Sequence, residues 1–298
     1  MPKTIWITGA SGFSARYLAA NLRRSELGSR LIGLDRGPAD RGDLDDYHAI
    51  DITDFQRVKE LAETDPPQWV FHLAAAIPPA TEEALWHVNA GGTRNLIEAV
   101  AGGISERVRV LITSSAAVYR PTPAKVDEKA PSGGANAYGR SKWGQEQIAL
   151  ASGREFGVGI VIARTFNLLG PGLPQRLLAG ALCAKLREPG NKPIALGDLS
   201  SFRDFIDVRD AVEAYRLIAT KGRNYQIYNV CSGRSTRSRT LVQRLAALAG
   251  QADRIQENPS YHSGGVDRSV GDPDALMKLG WRPTIPLQRT LRDMLAHP

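Results

Sequence analysis

The stretch KTIWITGASGFSARYLAANL, residues 3–22, runs from a β-rich segment through a glycine turn into the apolar positions Phe13, Tyr17, Leu18 and Leu22 of a helix. Strand, glycine turn and helix in that order present backbone N–H groups and a helix N-terminus to one point, which suits a pyrophosphate. Gly9 and Gly12 supply the turn, and Ala15 is the small residue that lets helix and strand pack closely. A second strand, RLIGLDR, ends at Asp35, where an acidic side chain would meet the hydroxyls of an adenosine ribose.

The alternation continues outward from there. YHAIDIT reads as a third strand ending at Asp51, DFQRVKELAET as a helix and QWVFHLAAA as a fourth strand running into small residues. EEALWHVNAGGTRNLIEAVAG reads as one helix and RVRVLITSSAAVY as a fifth strand. Strands alternating with helices predict an α/β fold, a Rossmann-type doubly wound parallel sheet with ligands outside the carboxyl ends of the strands. Ala74, Ala75, Ser114 and Ser115 then sit at the ligand edge. From Phe166 the pattern breaks into a Pro/Gly turn, an amphipathic helix and a short strand, as expected of a smaller α/β substrate-binding domain. The expected division is 1–165, with a return segment about 204–232, for the dinucleotide-binding domain, and 166–203 with 233–298 for the smaller one.

The 298 residues are enough for a substantial core, and 42% apolar with 23% charged residues is ordinary for a globular chain. No run reaches the length of a membrane span and the first residues enter a strand directly, so a cytoplasmic protein with no membrane contact is expected. The formal charge of +7 is dispersed, with no basic stripe interleaved with aromatics, which argues against nucleic acid and leaves solubility or attraction of an anionic small molecule. Cys183 and Cys231 lack any metal-binding spacing and read as packed thiols, so no metal is expected. His72 and His87 have no partner at a catalytic spacing and read as packing residues.

In ANAYGRSKWGQE, residues 135–146, Tyr138 and Lys142 stand four positions apart, about one helical turn. A phenol is a poor base or acid at neutral pH, with an unperturbed pKa near ~10, and an adjacent ammonium would lower it. Such a pair could move a proton to or from a sugar or alcohol oxygen. Taken alone, in a chain with eight tyrosines, the pair reads rather as a packed tyrosine and a solvated lysine, since short motifs recur by accident.

The ordered set of motifs resembles the extended short-chain dehydrogenase/reductase family of nucleotide-sugar enzymes, the NAD-dependent epimerase/dehydratase family. TGASGFSA, the DI at Asp51, HLAA, NAGGTRNLIEA, SSAAVY, YGRSK, RTFNLLGPG and RDFIDVRDAVEAY match its motifs in order and nearly end to end. The resemblance implies that Tyr138 transfers the proton, Lys142 holds the nicotinamide ribose and lowers the tyrosine pKa, and Ser115 hydrogen-bonds the reacting oxygen. It implies NADP(H) or NAD(H) against Gly9, Ser11, Gly12 and Phe13 in the turn, Asp35 and Arg36 after the second strand, and Asp51 and Ile52 after the third. Leu73, Ala74, Ala75 and Asn89 would complete that contact with Tyr138 and Lys142. Asp35 would accept from ribose hydroxyls and repel a 2′-phosphate that Arg36 could pair with, which leaves the choice of cofactor open.

A nucleotide diphosphate sugar would be the substrate, held by Ser115, Asn167, Arg176, Arg203 and Arg268, because arginine supplies the planar fork a diphosphate accepts. The chain departs from the family pattern at Thr165, in place of a proline, at Arg120, in place of a glycine, and at Ala117, where many epimerases carry threonine. Dehydratases of the family carry an Asp–Glu pair where this chain has Ala116 and Ala117, and two methyl groups cannot transfer protons. The downstream half resembles the branch that reduces GDP-4-keto-6-deoxy-mannose to GDP-rhamnose. The expected activity is therefore reduction of a 4-keto sugar by a homodimer, with a 4-epimerase or a non-catalytic nicotinamide-binding regulator as alternatives.

Overall fold

The computed structural model describes residues 3–26, 28–37, 42–102, 108–258 and 267–297. The first half alternates as its periodicity predicts: β1 (Thr4–Thr8), α1 (Phe13–Ser25), β2 (Arg30–Asp35), β3 (Asp46–Ala49), α2 (Phe55–Thr64) and β4 (Trp69–His72). It continues with α3 (Glu82–Trp86), α4 (Thr93–Ala101), β5 (Arg109–Ser115), α5 (Ala137–Phe156) and β6 (Gly159–Thr165). In α1 the residues Ala15, Leu18, Ala19 and Leu22 are buried, one stripe at helical spacing. Asn136 caps α5 by accepting the Gly139 N–H at 2.8 Å, and Gly157, at φ 75°, ends it in the left-handed conformation.

Two expected elements differ in detail. Residues 82–102 do not form one α-helix, because a π-helical turn over His87–Gly92 separates α3 from α4. The absence of a side chain at Gly92 lets Ile52 approach so closely that a Cβ there would lie 2.7 Å from its Cδ1. The turn rotates Asn89 inward, where its amide bridges the Ala76 N–H and C=O at 2.7 and 3.1 Å. The fifth strand stops at Ser115 rather than at residue 119, since the Ser115 hydroxyl accepts the Ala117 N–H at 3.1 Å and winds Ala116–Val118 into a short 3₁₀ turn.

The rest of the chain adds β7 (Asn167–Leu169), α6 (Leu178–Arg187), β8 (Ile194–Leu196), β9 (Phe202–Arg203), β10 (Phe205–Asp207), α7 (Val208–Lys221) and β11 (Ile227–Val230). Then follow β12 (Thr236–Arg237), α8 (Ser238–Leu248), β13 (Ile255–Glu257), β14 (Arg268–Ser269), α9 (Asp274–Met277) and α10 (Leu287–Ala296).

The central sheet has the order β11-β6-β5-β4-β1-β2-β3, every pair parallel, so the strand order reverses direction between β1 and β4. That is the doubly wound arrangement, with its ligand crevice at the carboxyl ends. Alternate strand residues feed two cores. Ile5, Ile7, Phe71, Leu111 and Val161 face α1 and α7, whereas Trp6, Val70, Val110, Ile112 and Ile160 face α2, α4 and α5.

A third cluster joins Leu182 and Leu186 of α6 to Leu241, Leu245 and the α10 residue Leu291. Small sheets, β10 with β7, β12-β9-β14 and β13 with β8, surround it. Residues 233–298, expected wholly in the smaller unit, divide between cores: Leu276 and Trp281 pack in the α1/α7 core, where the Trp281 indole N–H donates to Asp210 O at 3.0 Å. Both cysteines are free and buried. Among the described residues no helix is long and apolar enough to cross a membrane, and no group of side chains could hold a metal ion.

Candidate active site

A cleft of about 1070 Å³ runs along the carboxyl edge of the sheet and under the third cluster. This is at the top of the ~300–1,000 Å³ typical for one small ligand. Its first end is built by the glycine turn. Gly9 has φ 68°, and a Cβ there would lie 2.7 Å from Ala74 N, so the turn and the β4 loop close together only around glycine. Gly12 begins α1 with no side-chain cap, leaving the helix N-terminus facing the cleft. Asp35 Oδ2 accepts the Ser11 N–H at 3.0 Å and its hydroxyl at 2.6 Å, while Oδ1 accepts the Arg36 N–H at 2.7 Å. The Arg36 guanidinium is largely exposed and stands 3.9 Å from Asp51. An uncapped helix end and a fixed carboxylate at the second strand fit the pyrophosphate and adenosine ribose of a nicotinamide dinucleotide.

Ser115, Tyr138 and Lys142 meet in the middle of the cleft. Lys142 Nζ donates to Thr113 O at 2.7 Å, and burial pushes its pKa down to about 7 against the opposing pull of Glu146. Burial raises the Tyr138 phenol above its ordinary value, and the neighbouring Ser115 hydroxyl draws it back down. Burial and the Ser115 hydroxyl, rather than the Lys142 charge, are the influences that act most on this phenol here. The ammonium is turned to the strand carbonyl, and Tyr138 is built to keep its proton at neutral pH.

Polar contacts brace this centre from below. Glu146, one turn beyond Lys142, accepts two bonds from Arg164 at 2.9 and 2.7 Å and one from the Ser114 hydroxyl, all buried. His72 lies between Thr8 Oγ1 at 2.7 Å and Thr93 Oγ1 at 2.9 Å, and burial followed by the Lys142 charge lowers its pKa to about 3. The Thr93 proton goes to Asn89 O at 2.6 Å, so Nε2 of His72 is the donor and Nδ1 the acceptor of the Thr8 proton. His72 is thus a neutral structural bridge, and His87 lies in the π turn outside the cleft lining.

Of the sugar-nucleotide candidates, Asn167, Arg176 and Arg203 line the far half of the cleft. Asn167 donates to Asp204 O at 3.0 Å, and Arg203, whose pKa burial lowers, donates to Phe202 O at 2.9 Å. Two expected contacts are corrected. Arg268 does not line the cleft; it sits on β14, which pairs with β9, and packs over the Phe202 ring. Asn89 is fully buried and holds the Ala76 backbone instead of facing a ligand. Arg120 also stays outside the lining. Sequence reasoning missed the hydroxyl side chains of Thr165 and Tyr215 and an apolar wall of Leu173, Pro174, Leu177 and Leu178. The signal for Thr165 was its place at a strand end, whereas the wall lies on the loop before α6 and the first residue of that helix, in a direction no local pattern gives.

The parallel sheet, the glycine turn and the hydroxyl–lysine centre define a dinucleotide-binding oxidoreductase type of fold and site. The chain belongs to the NAD dependent epimerase/dehydratase family, whose model matches residues 5–231. It is 28% identical to GDP-6-deoxy-D-mannose reductase of Pseudomonas aeruginosa, over 99% of this chain and 97% of that protein. The structure of RMD from Pseudomonas aeruginosa complexed with NADPH superposes with a TM-score of 0.85 at 27% identity, covering 99% of this chain and 98% of the other. The UDP-glucose 4-epimerase of Thermus thermophilus in complex with NAD superposes with a TM-score of 0.86 at 26% identity over the same shares.

Proposed function

We propose that this protein reduces the C4 keto group of a nucleotide-activated 4-keto-6-deoxy sugar, of the GDP-4-keto-6-deoxy-mannose to GDP-rhamnose type, with NADPH or NADH. The observation that carries this reading is the make-up of the reacting centre: hydroxyls and one ammonium, with the acidic cleft residues being Asp35 and Asp51 at the adenosine end and Asp198 at the other. Elimination of water from a sugar needs a nearby carboxylate base, so dehydration lacks its machinery here. A phenol held protonated by burial suits donation to a carbonyl oxygen.

In this reading the glycine turn, Asp35 and Lys142 hold the dinucleotide, which supplies a hydride to the carbonyl carbon. Ser115 donates to the carbonyl oxygen and orients it, and Tyr138 delivers the proton that completes the alcohol. Arg203 and Arg176 bind the diphosphate, so the sheet half serves the cofactor and the third cluster serves the sugar nucleotide. The similarity to the reductase of Pseudomonas aeruginosa over nearly the full length supports the choice of reaction. Trp86 and Trp143, 38% and 37% exposed on α3 and α5, are large apolar side chains available to a homodimer contact.

A 4-epimerase is the second reading, favoured by the fold similarity to the Thermus thermophilus enzyme. Incubating the purified protein with several nucleotide 4-keto-6-deoxy sugars and following nicotinamide absorbance separates the two. A reductase consumes one reduced nicotinamide per sugar. Formation of a C4 epimer from a nucleotide hexose with no net absorbance change would replace the first reading by the second.

A further inference from the structure

Residues 115 and 165 are register partners at the carboxyl ends of neighbouring parallel strands, about 4.8 Å apart. Alternation along both strands turns the two side chains to one face. Leu111, Val161 and Ala163 lie in the α1/α7 core, and Ser115 and Thr165 follow them in phase. On that face Thr165 Oγ1 is 2.8 Å from the hydroxyl of Tyr215, a buried residue of α7. Ser115, Thr165 and Tyr215 all line the cleft together with Tyr138. A proline at 165, the residue the family pattern expects, would bring no hydroxyl to this row.

Two hydroxyls share two protons here. Tyr215 has no hydrogen-bond partner but Thr165 among the described residues. A buried phenol without an acceptor is costly, so Tyr215 donates and Thr165 accepts. The Thr165 proton is left with a 3.5 Å contact to Ala163 O, too long for a good O–H···O bond. Its β-branched side chain has little rotamer freedom, so this donor is held in place beside Ser115.

We propose that Thr165 donates a hydrogen bond to the 3-hydroxyl of the substrate sugar, the ring hydroxyl next to the reacting carbonyl, and thereby selects sugars that carry it. Tyr215 is a positioning residue that fills the other side of Thr165. The inference rests on the reading in which Ser115 holds the carbonyl oxygen at C4, since neighbouring ring oxygens can meet donors one strand spacing apart. A site built to bind a hydroxyl rejects the analogue without it, because its own polar group is left unpaired.

The test compares the parent with Thr165→Ser, Thr165→Val and the double variant Thr165→Val/Tyr215→Phe, which leaves no orphaned phenol. Each is assayed with a nucleotide 4-keto-6-deoxyhexose and with its 3-deoxy analogue. Thr165→Val is expected to raise KM for the hydroxylated sugar by roughly 10- to 100-fold while kcat changes less than about threefold. KM for the 3-deoxy analogue should fall in Thr165→Val, because no hydroxyl is then left unpaired, Thr165→Ser should restore the preference, and the double variant should repeat the loss. An unchanged ratio of the two KM values in Thr165→Val overturns the proposal. If the parent reduces neither sugar, the reaction assignment falls by itself. Calorimetric binding of a nucleotide hexose and its 3-deoxy counterpart to the nicotinamide-loaded variants then decides: a preference that Thr165→Val abolishes and Thr165→Ser keeps supports the contact, and equal affinities overturn it.

Discussion

Tyr138 and Lys142 are neighbours on one helix, yet their polar atoms meet different partners, the phenol the Ser115 hydroxyl and the ammonium the Thr113 carbonyl. Burial holds the phenol protonated. Replacing Tyr138 by Phe removes only the hydroxyl, so turnover should fall by roughly 10²- to 10⁴-fold. Nicotinamide binding, read by fluorescence titration, should persist. Full activity in this variant would remove Tyr138 from the reaction. The lysine makes a separate prediction about stability. Its folded pKa of about 7 lies below the ordinary 10.5, so the unfolded chain binds more protons between those values. The cost of burying the charge is then fully present below about pH 7 and fades as pH rises toward 10.5. Lys142→Met should make the cofactor-free protein more stable than the parent near about pH 6, with an advantage that shrinks through alkaline pH. Urea midpoints across that range read it, and an advantage that grows with pH would contradict the burial argument.

At the scale of elements, α5 and β6 are joined by a buried ion pair. Glu146 and Arg164 have side chains no more than 4% exposed, with a 2.7 Å contact. Arg164 also stacks over Tyr119, whose hydroxyl donates to Asn229 Oδ1 at 2.6 Å on the last strand of the sheet. The pair therefore locks the helix that bears Tyr138 and Lys142 to the strands that bear Ser115 and Thr165. Arg164→Met leaves a buried carboxylate without its partner and should cost about 3–5 kcal/mol in chemical denaturation. The double variant Arg164→Met/Glu146→Leu should recover most of that loss. A single variant as stable as the parent would show that the carboxylate has found water or a proton.

At the scale of the molecule, the cleft exists because two packed bodies of structure share one edge. The dinucleotide cradle belongs to the sheet, while Arg203 comes from β9, which pairs with β12 and β14 beside the third cluster. An arginine that contacts the diphosphate in both ground and transition states should lower affinity more than turnover when truncated. Arg203→Ala is expected to raise KM for the sugar nucleotide by roughly 10- to 100-fold, the equivalent of a ~1.5–3 kcal/mol charged hydrogen bond, with a smaller loss of kcat. Normal saturation behaviour would take Arg203 out of the substrate site.

The sequence by itself determined the alternation of strands and helices, the glycine turn before α1, the carboxylate at the end of β2 and the pairing of Tyr138 with Lys142 on one helix. Periodicity, turn chemistry and one-turn spacing are local properties, set by residues a few positions apart. Only the tertiary structure decided what lies across a register or a packed interface. Ser115 meets Thr165 because β5 and β6 pair in one register, and Glu146 meets Arg164 because α5 lies on the face of the sheet to which Arg164 points. The π turn that buries Asn89 packs its Gly92 against Ile52 from a distant segment, and Arg268 lies outside the cleft lining, in register with Phe202 rather than with the cleft-lining Arg203. The protonation of Tyr138 and Lys142 follows burial, which no spacing along a chain specifies, since it depends on everything packed around the group.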